Sequence, residues 1–371
     1  MKILVYMGHP AHFYLYKNAI INWREHGHRV DILIKKKDIL QQLLDNQGWE
    51  YHNILQEGRK NNKLGMAIGM LKRTWREWRL CRKLHPDILI GTSVENSFIG
   101  KLTHIPVINC NEDDAAVVPL YAQLSYPWAD VILNPIVCNS GKWDTKAIKY
   151  PSYQKLAYLH PKRFTPSRQV VEQYGIDTQK PYFLLRFALL KAHHDAGVHG
   201  INTEVAQHII DMLQPYGNVY ITSERQLESQ FERYRLHINP LDMHCVLAFA
   251  AIYIGDSQSM AVEAAMLGVP SFRFNDFVGN KKIGVLEELE HVYGLTCGVS
   301  SHNPELLYEK VNEVLVSENC AHELFQARRQ QMLNEKIDYT QFLIWFVENY
   351  PESKMIAAQH YKELGFWNNF K

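Results

Sequence analysis

The stretch that most constrains the fold is Ile252–Pro270, which reads IYIGDSQSMAVEAAMLGVP. Its first residues are apolar, and they predict a short buried strand that ends at Gly255–Asp256. Small apolar residues then recur at helical spacing as far as Gly268, and Val269–Pro270 leads into another extended segment, Ser271–Phe274. A strand, a polar turn, a helix and a second strand in this order are typical of a parallel α/β sheet.

The start of this helix has the features of a phosphate site. Ser257 or Ser259 can cap the helix, and the backbone N–H groups of the first turn have no partner within the helix. These groups and the helix dipole together attract phosphate oxygens. Glu263, about one turn into the helix, can direct its carboxylate toward a ribose. The pattern fits an ordinary βαβ unit with a well-capped helix equally well.

Length and composition limit the fold and the function classes. A chain of 371 residues exceeds one ordinary core and predicts two domains. A formal net charge of +1 argues against a dedicated nucleic-acid-binding protein. The six cysteines are scattered without a C-x-x-C pair, which argues against a zinc site or a disulfide framework. The first apolar run is too short for a signal peptide and no apolar window reaches membrane-spanning length, so we expect a cytoplasmic protein.

The chain opens with alternating strands and helices. Lys2–Met7 predicts a buried strand, Gly8–His12 is the turn after it, and a helix from about Phe13 to His26 leads to a strand at His28–Lys35. This order begins a doubly wound parallel sheet. The turn lacks the G-x-G-x-x-G pattern of nicotinamide- and flavin-binding sites.

Polar side chains follow the next predicted strands, at Pro86–Ser93, Pro106–Cys110 and Ala129–Leu133. Because the carboxyl ends of parallel strands meet at one edge of a sheet, we expect several polar side chains to converge there. They are His9, His12, Ser93, Glu95, Asn109, Glu112, Asp113 and Asp114. A carboxylate beside a histidine suits general-base chemistry, whereas three consecutive acids also fit a solvated turn.

The segment Glu57–Leu84 is basic and aromatic. It contains Trp75, Trp78 and nine basic residues, namely Arg59, Lys60, Lys63, Lys72, Arg73, Arg76, Arg79, Arg82 and Lys83. We favour a solvated helix whose Trp and Leu residues face the core. The alternative is a surface that rests on an anionic membrane, on the inner face of the plasma membrane, or meets a lipid-linked acceptor.

The second half of the chain predicts a second α/β domain. A run rich in Pro, Tyr, His and Lys, Pro151–Pro166, suits a domain junction, and Pro181–Phe187 opens the new domain as a strand. The loop after that strand contains His193, His194 and Asp195. Adjacent histidines point apart in extended chain and no further ligand is spaced for a metal, so we prefer a polar loop to a metal site.

Several segments resemble one poorly characterised prokaryotic family of unknown function, over nearly the whole chain up to about residue 345. These segments are Gly8–His12, Arg186–Phe187, Ala192–Gly197, Gly255–Pro270 and Gly284–Glu290. The family is similar to GT-B glycosyltransferases and to non-hydrolysing UDP-N-acetylglucosamine 2-epimerases. The resemblance implies a GT-B-like α/β fold, with two Rossmann-like doubly wound parallel-sheet domains facing a central cleft. We expect an acceptor-side domain at 1–160, a nucleotide-sugar-binding domain at 161–338, and C-terminal helices at 339–371 that can cross back to the first domain.

The resemblance to GT-B glycosyltransferases implies catalytic roles in the first domain. In many of these enzymes a histidine in the first βα turn lies fifteen residues before the glycine that ends the first helix, and here those positions are His12 and Gly27. His12 therefore resembles the base that activates the acceptor, with His9 in reserve and with Glu112 and Asp113 as nearby carboxylates.

The same resemblance places the donor in the second domain. The residues that it implicates are Arg186, His193, His194, Asp195, Asp256, Ser257, Gln258, Ser259, Met260 and Glu263, with Lys191 as a further basic group. The helix start would bind the diphosphate and Glu263 the ribose. Because the helix dipole and basic groups stabilise the departing diphosphate, we expect neither a metal nor a cofactor.

The predicted activity is transfer of a sugar from a nucleotide-diphosphate donor, UDP foremost, to a surface-polysaccharide or glycolipid acceptor, without nucleic acid as a partner. The alternative is a sugar-nucleotide epimerase or hydrolase that resembles the UDP-N-acetylglucosamine 2-epimerases. Against it, Ser93 stands where those epimerases have a catalytic aspartate, and Glu112 is near, not at, an expected carboxylate position. Val118–Leu120 likewise replaces a Pro-Glu-Glu stretch. A nucleotide-sugar-binding protein without catalysis is the third reading.

Overall fold

A computed structural model of the chain describes residues 1–35, 39–55, 63–188, 200–279, 282–317 and 319–371. These residues form two compact units. The first unit contains Met1–Tyr158 together with Lys336–Lys371, and the second contains Leu159–Glu335. Each unit has its own parallel β-sheet, as the alternation of strands and helices predicts.

The sheet of the first unit has seven parallel strands. They are β1 (Lys2–Met7), β2 (Arg29–Lys35), β3 (His52–Leu55), β4 (Ile88–Gly91), β5 (Val107–Cys110), β6 (Val131–Pro135) and β7 (Ala147–Tyr150). Their order in the sheet is β3-β2-β1-β4-β5-β6-β7. The order reverses between β1 and β4, and such a switch point opens a crevice at the carboxyl ends of the two strands. The last strand has no counterpart in the sequence prediction, because its sequence AIKY is only four residues long.

Helices cover this sheet. They are α1 (Pro10–Glu25), α2 (Leu40–Asn46), α3 (Lys63–Leu84), α4 (Val94–Thr103) and α5 (Pro119–Ser125), with a 3-10 helix at Gly141–Lys146. Buried residues of α3 and α4, including Cys81, Leu84 and Ile99, pack with Leu4, Leu89 and Val107 of the strands. A short helix, α6 (Leu156–Leu159), lies where the first unit passes into the second.

The sheet of the second unit has five parallel strands. They are β8 (Tyr182–Phe187), β9 (Asn218–Ser223), β10 (Ile252–Gly255), β11 (Ser271–Phe274) and β12 (Thr296–Val299), in the order β12-β11-β10-β8-β9. The switch point is between β8 and β10. The helices are α7 (Arg168–Glu172), α8 (Thr203–Leu213), α9 (Met243–Ala248), α10 (Gln258–Met266), α11 (Gly284–His291), α12 (Pro304–Val316) and α13 (Asn319–Glu335), with 3-10 helices at Ser229–Tyr234 and Pro240–Asp242.

The C-terminal segment packs within the first unit. Its helices are α14 (Tyr339–Glu348), α15 (Glu352–His360) and α16 (Leu364–Trp367), followed by a 3-10 turn at Asn368–Phe370. The hydroxyl of Thr340 donates to the Ala157 carbonyl over 2.8 Å, and Glu348 contacts the His26 ring nitrogen Nδ1 at 2.7 Å. The sequence pattern predicts one helix over Thr340–Ala358, and this is wrong because the chain breaks before α15, where proline lacks the N–H that a helix requires.

Among the described residues, no helix combines the length and the apolar character needed to cross a membrane.

Candidate functional site

The switch point of the first unit brings the turns after β1 and β4 together. Gly91 at the end of β4 has a φ of +150°, and a Cβ atom there would lie 2.8 Å from the Tyr6 carbonyl oxygen. A side chain would therefore push β1 and β4 apart, so glycine is needed for this close approach. The turns that follow the two strands consequently start from nearly the same point at the sheet edge.

A cavity of about 150 Å³ opens at this edge. Its walls come from the start of α1, the turns after β4 and β5, and the segment from Gln154 to Tyr158 in α6. The lining residues are Ala11, His12, Leu15, Thr92, Asn111, Glu112, Asp113, Gln154, Lys155 and Tyr158. The structure thus brings three sequence-predicted residues, His12, Glu112 and Asp113, to one cavity within the first unit.

His12 is half-buried, and its hydrogen bonding selects one tautomer. The backbone N–H of Gly8 donates to Nδ1 of His12 over 3.1 Å. In a neutral imidazole, a ring nitrogen that accepts an N–H has no proton of its own, so the proton is on Nε2. His12 in this conformation therefore has a hydrogen-bond donor at Nε2.

His9 has a structural role. It is the N-cap residue of α1, and its Nδ1 accepts the backbone N–H of Ala11 over 3.2 Å. His9 is exposed, and it is not among the residues that line the cavity.

Glu112 is paired on both of its oxygens. Oε1 lies 2.7 Å from Nζ of Lys155, and Oε2 accepts the backbone N–H of Gln154 over 2.7 Å. Both charged side chains are largely shielded from solvent, with exposed fractions of 12% for Glu112 and 16% for Lys155. These contacts occupy both carboxylate oxygens, one with a charge-assisted hydrogen bond and one with a backbone N–H.

The other polar residues predicted at this edge lie outside the cavity lining. Asp114 accepts the backbone N–H of Asn139 over 2.6 Å, and Asn109 donates to the hydroxyls of Tyr121 and Ser125. These contacts fix the loops around β5 and give both residues a structural role.

Ser93 and Glu95 also lie outside the cavity lining. Ser93 caps α4 and its Oγ lies 3.2 Å from a carboxylate oxygen of Glu95, whose other oxygen accepts from Nε of Arg73 over 2.6 Å. Glu95 is buried. The Glu95 carboxylate therefore lies beside Ser93, although this carboxylate is held in an ion pair with Arg73.

The sequence did not identify Lys155, Gln154 or Tyr158 as site residues. The sequence feature that could have pointed to them is a polar pair, Gln154–Lys155, inside the aromatic and apolar run after Pro151. Only the fold brings Lys155 to a glutamate more than forty positions earlier in the chain.

The second unit contains the predicted strand, turn and helix. Ser257 is the N-cap of α10, and its Oγ accepts the backbone N–H of Met260 over 3.4 Å. The next two backbone N–H groups, of Gln258 and Ser259, bind no other group of the described chain, and both residues are partly exposed. Two open amides at the positive end of a helix form a binding position for an anion.

Asp256 lies just before this helix but is turned away from it. The carboxylate is buried, and Oδ1 accepts the backbone N–H of Ala188 over 2.6 Å. Gly200 allows this position, because a Cβ there would lie 2.6 Å from Oδ2. Burial raises the pKa of Asp256 to about 6, although the bond from Ala188 lowers it. Asp256 thus holds Ala188, the residue that follows β8, in position.

Glu263 and Arg186 each have a partner in the second unit. An Oε2 atom of Glu263 lies 3.6 Å from Nε2 of His244 on α9, and both side chains are about nine-tenths buried. Arg186 pairs with Glu224 through one guanidinium nitrogen, while its buried Nε has no hydrogen-bond partner among the described residues. His244 was not predicted, although a lone histidine in the apolar run before β10 is a usable signal.

Four further predicted residues, Lys191, His193, His194 and Asp195, lie outside the described residues. Within the described part of the chain, no group of three or more His, Cys, Asp or Glu side chains is arranged to bind a metal ion.

Comparison with solved structures relates the whole fold to nucleotide-sugar enzymes. The UDP-GlcNAc 2-epimerase of Neisseria meningitidis, solved with UDP-GlcNAc, is 14% identical, with a TM-score of 0.63 and coverage of 94% of this chain and 99% of that one. The spinosyn rhamnosyltransferase SpnG with thymidine diphosphate is 14% identical, with a TM-score of 0.62 and coverage of 94% and 100%. SpnG with spinosyn aglycone is 13% identical, with a TM-score of 0.59 and the same coverage.

At these identities the likeness establishes the fold alone, which is the GT-B-like pair of parallel-sheet α/β domains that the sequence predicts. No match is found among curated proteins. A family model described as a protein of unknown function, DUF354, matches residues 1–283. Because that match covers about three quarters of the sequence, the chain belongs to the DUF354 family.

Proposed function

We propose that the protein is a cytoplasmic glycosyltransferase that moves a sugar from a nucleotide-diphosphate donor to a hydroxyl of a surface-polysaccharide or glycolipid acceptor. The observation that supports transfer best is the composition of the first-unit cavity. His12 and Asp113 line it, whereas Glu112 is neutralised by Lys155. Transfer removes one proton from one acceptor hydroxyl, so a single base is sufficient.

The proposed donor is a UDP-sugar bound by the second unit. The open amides of Gln258 and Ser259 and the dipole of α10 would bind the diphosphate, and Glu263 would accept hydrogen bonds from the ribose hydroxyls. The structure of the N. meningitidis epimerase contains UDP-GlcNAc and one SpnG structure contains thymidine diphosphate. Those ligands support a nucleotide diphosphate here, although the base and sugar are our proposal.

The proposed base is His12, acting through Nε2. For Nε2 to accept a proton, the neutral ring must first move its own proton to Nδ1, which breaks the bond from Gly8. Asp113, a carboxylate that lines the same cavity, is the second proposed proton acceptor. The departing diphosphate is stabilised by backbone N–H groups that are already oriented, which lowers the barrier without a metal ion.

A sugar-nucleotide epimerase is the second candidate, and Glu95 is the observation that favours it. Its carboxylate lies 3.2 Å from Ser93 Oγ, so an acid is present beside the position where epimerases have an aspartate. The ion pair with Arg73 argues against proton transfer by Glu95. A protein that binds nucleotide sugars without catalysis is the third candidate.

The decisive experiment incubates the purified protein with a panel of nucleotide sugars, with and without saccharide and lipid-linked acceptors. Products are identified by mass spectrometry and NMR. Free nucleotide diphosphate that forms only with an acceptor supports the transferase. A stereoisomer of the sugar, or free sugar without an acceptor, identifies epimerase-type chemistry instead. Tight nucleotide binding without turnover on the whole panel identifies a binding protein.

A further inference from the structure

Helix α3 has one face in the core and one in solvent. Between residues 68 and 84, the buried positions are Glu77, Cys81 and Leu84, and Trp78 packs partly against the same core. The exposed positions are Ile68, Leu71, Lys72, Trp75, Arg79, Arg82 and Lys83. Their spacing of three or four residues places all of them within a stripe of roughly 120° on the opposite side of the helix. We call this stripe the outer face of α3.

The N-terminal half of the outer face is apolar. Leu71 is 69% exposed, Trp75 54% and Ile68 46%. The prediction that the Trp and Leu residues of this segment face the core is therefore wrong for Leu71 and Trp75, which lie on the solvent side of the helix. Single exposed apolar residues are ordinary, but three within two helical turns form a patch that indicates a binding surface.

The C-terminal half of the outer face is basic, and Lys72 adds a basic residue among the apolar ones of the N-terminal half. Lys72, Arg79, Arg82 and Lys83 are exposed on it, and the one acidic residue of this part of the helix, Glu77, is fully buried on the other side. The Arg79 guanidinium lies over the Trp75 ring, 4.9 Å from its centre. The face therefore combines aliphatic, indole and cationic groups.

We propose that the outer face of α3 binds the surface of an anionic lipid bilayer. Ile68, Leu71 and Trp75 would enter the region between headgroups and acyl chains, where apolar side chains and indole rings are stabilised. The basic side chains would contact the anionic headgroups, as on other amphipathic interfacial helices. Nucleic acid suits this face less well, because aliphatic side chains gain nothing from a phosphodiester backbone.

Cosedimentation of the full chain with vesicles tests this proposal. Vesicles of phosphatidylcholine alone are compared with vesicles that also contain phosphatidylserine, at low and at high salt. We expect binding to the phosphatidylserine vesicles at low salt and its loss at high salt, because salt screens exposed charges. Binding should also shift the fluorescence of Trp75 to shorter wavelength.

Variants on the outer face separate its two contributions. The double substitution Arg79→Gln and Arg82→Gln should lower the partition coefficient about thirtyfold, at about fivefold for each basic residue. Leu71→Ser should lower it about tenfold. All three positions are exposed, so circular dichroism should remain unchanged. Matched controls in the second unit are Leu324→Ser, 49% exposed, and Lys180→Gln, 72% exposed, and both should bind vesicles like the wild type.

Three outcomes would overturn the proposal. They are equal affinity for neutral and anionic vesicles, wild-type binding by the outer-face variants, and binding of an RNA or DNA oligonucleotide with no vesicle binding. Because the assay contains neither donor nor acceptor, its result is independent of glycosyl transfer. A transferase that fails to bind vesicles, and a vesicle-binding protein that transfers no sugar, are distinguishable results.

Discussion

The ring of His12 accepts a hydrogen bond at Nδ1 from the backbone N–H of Gly8, over 3.1 Å, so that its proton is on Nε2. This relationship joins the turn after β1 to the first turn of α1. It also makes the proposed base testable with two amide substitutions. The side chain of asparagine places an acceptor near the position of Nδ1, and glutamine places a donor near the position of Nε2.

We expect His12→Gln and His12→Asn each to lower kcat by a factor of about 10² to 10⁴, because neither amide accepts a proton at neutral pH. The rate is measured as acceptor-dependent release of nucleotide diphosphate. Donor affinity should be unchanged in both variants. If His12→Gln retained more than half of the wild-type rate, His12 would be a hydrogen-bond donor and Asp113→Asn would then become the critical variant.

The ion pair of Glu112 and Lys155 should stabilise the first unit. Lys155→Met leaves a carboxylate without its cation at a position that is 12% exposed, and we expect a loss of about 1–3 kcal/mol in the free energy of unfolding. Glu112→Gln should be less costly, because its amide oxygen still accepts the N–H of Gln154. All eight tryptophans are in the first unit, so tryptophan fluorescence in urea follows the unfolding of that unit.

The double variant completes this test. If the two side chains interact directly, Lys155→Met combined with Glu112→Gln should be more stable than the sum of the single effects, by about 1 kcal/mol or more. Strictly additive effects would show that the 2.7 Å contact contributes nothing to stability.

Glu263 should bind the ribose of the donor, and the loss of this interaction should be separable from phosphate binding. We expect Glu263→Ala to weaken UDP binding roughly tenfold to hundredfold, the effect of one or two charge-assisted hydrogen bonds. Inorganic pyrophosphate lacks the ribose, so its affinity should be unchanged. Titration calorimetry measures both ligands.

A second glutamate–histidine contact in the same unit provides the control. Glu287 lies 3.8 Å from His291 on the exposed side of α11, and Glu287→Ala should leave UDP affinity unaltered. Equal UDP affinity of wild type and Glu263→Ala would remove Glu263 from the donor site.

Sequence patterns predicted the strands of both sheets better than the contacts between side chains. Runs such as ILVYM and IYIG are apolar throughout, which suits burial as strands of a parallel sheet. The N-cap at Ser257 also depends on local sequence alone. The pairing of Glu112 with Lys155, and of Glu263 with His244, depends on how distant elements pack, and no local pattern encodes it.

A fully buried acid in the first unit gives a prediction about stability. Neither carboxylate oxygen of Glu77 has a hydrogen-bond partner in the described chain. Burial raises the pKa of Glu77 well above its usual value, nearby Glu95 raises it further, and Arg73 lowers it. Because the folded pKa is raised, the stabilising contribution of this group is complete below the unfolded pKa of about 4.3 and is lost as pH rises through the folded pKa.

The substitution Glu77→Gln removes the loss of stability that ionisation of Glu77 causes as pH rises. At pH 8 we expect the variant to be more stable than the wild type by an amount on the order of 1–3 kcal/mol, and at pH 4 to be nearly equal, as measured by tryptophan fluorescence in urea. Glu25→Gln, at an exposed position of α1, is the control and should change stability little at either pH. A wild type that is more stable than Glu77→Gln at pH 8 would contradict the prediction.

Asp256 should make the stability of the second unit depend on pH in a narrower range. Burial raises the pKa of Asp256 to about 6 in the folded chain, against about 3.9 in the unfolded one. Its contribution to the free energy of unfolding is therefore complete below pH 4 and is lost as pH rises to about 6, a change on the order of 3 kcal/mol.

Asp256→Asn keeps an oxygen that accepts the Ala188 N–H but has no charge to bury. The difference in stability between variant and wild type should thus grow from pH 4 to pH 6 and stay constant above it. Hydrogen exchange of the β10 and α10 amides measures this difference, and a constant difference across the whole range would show that Asp256 does not titrate there.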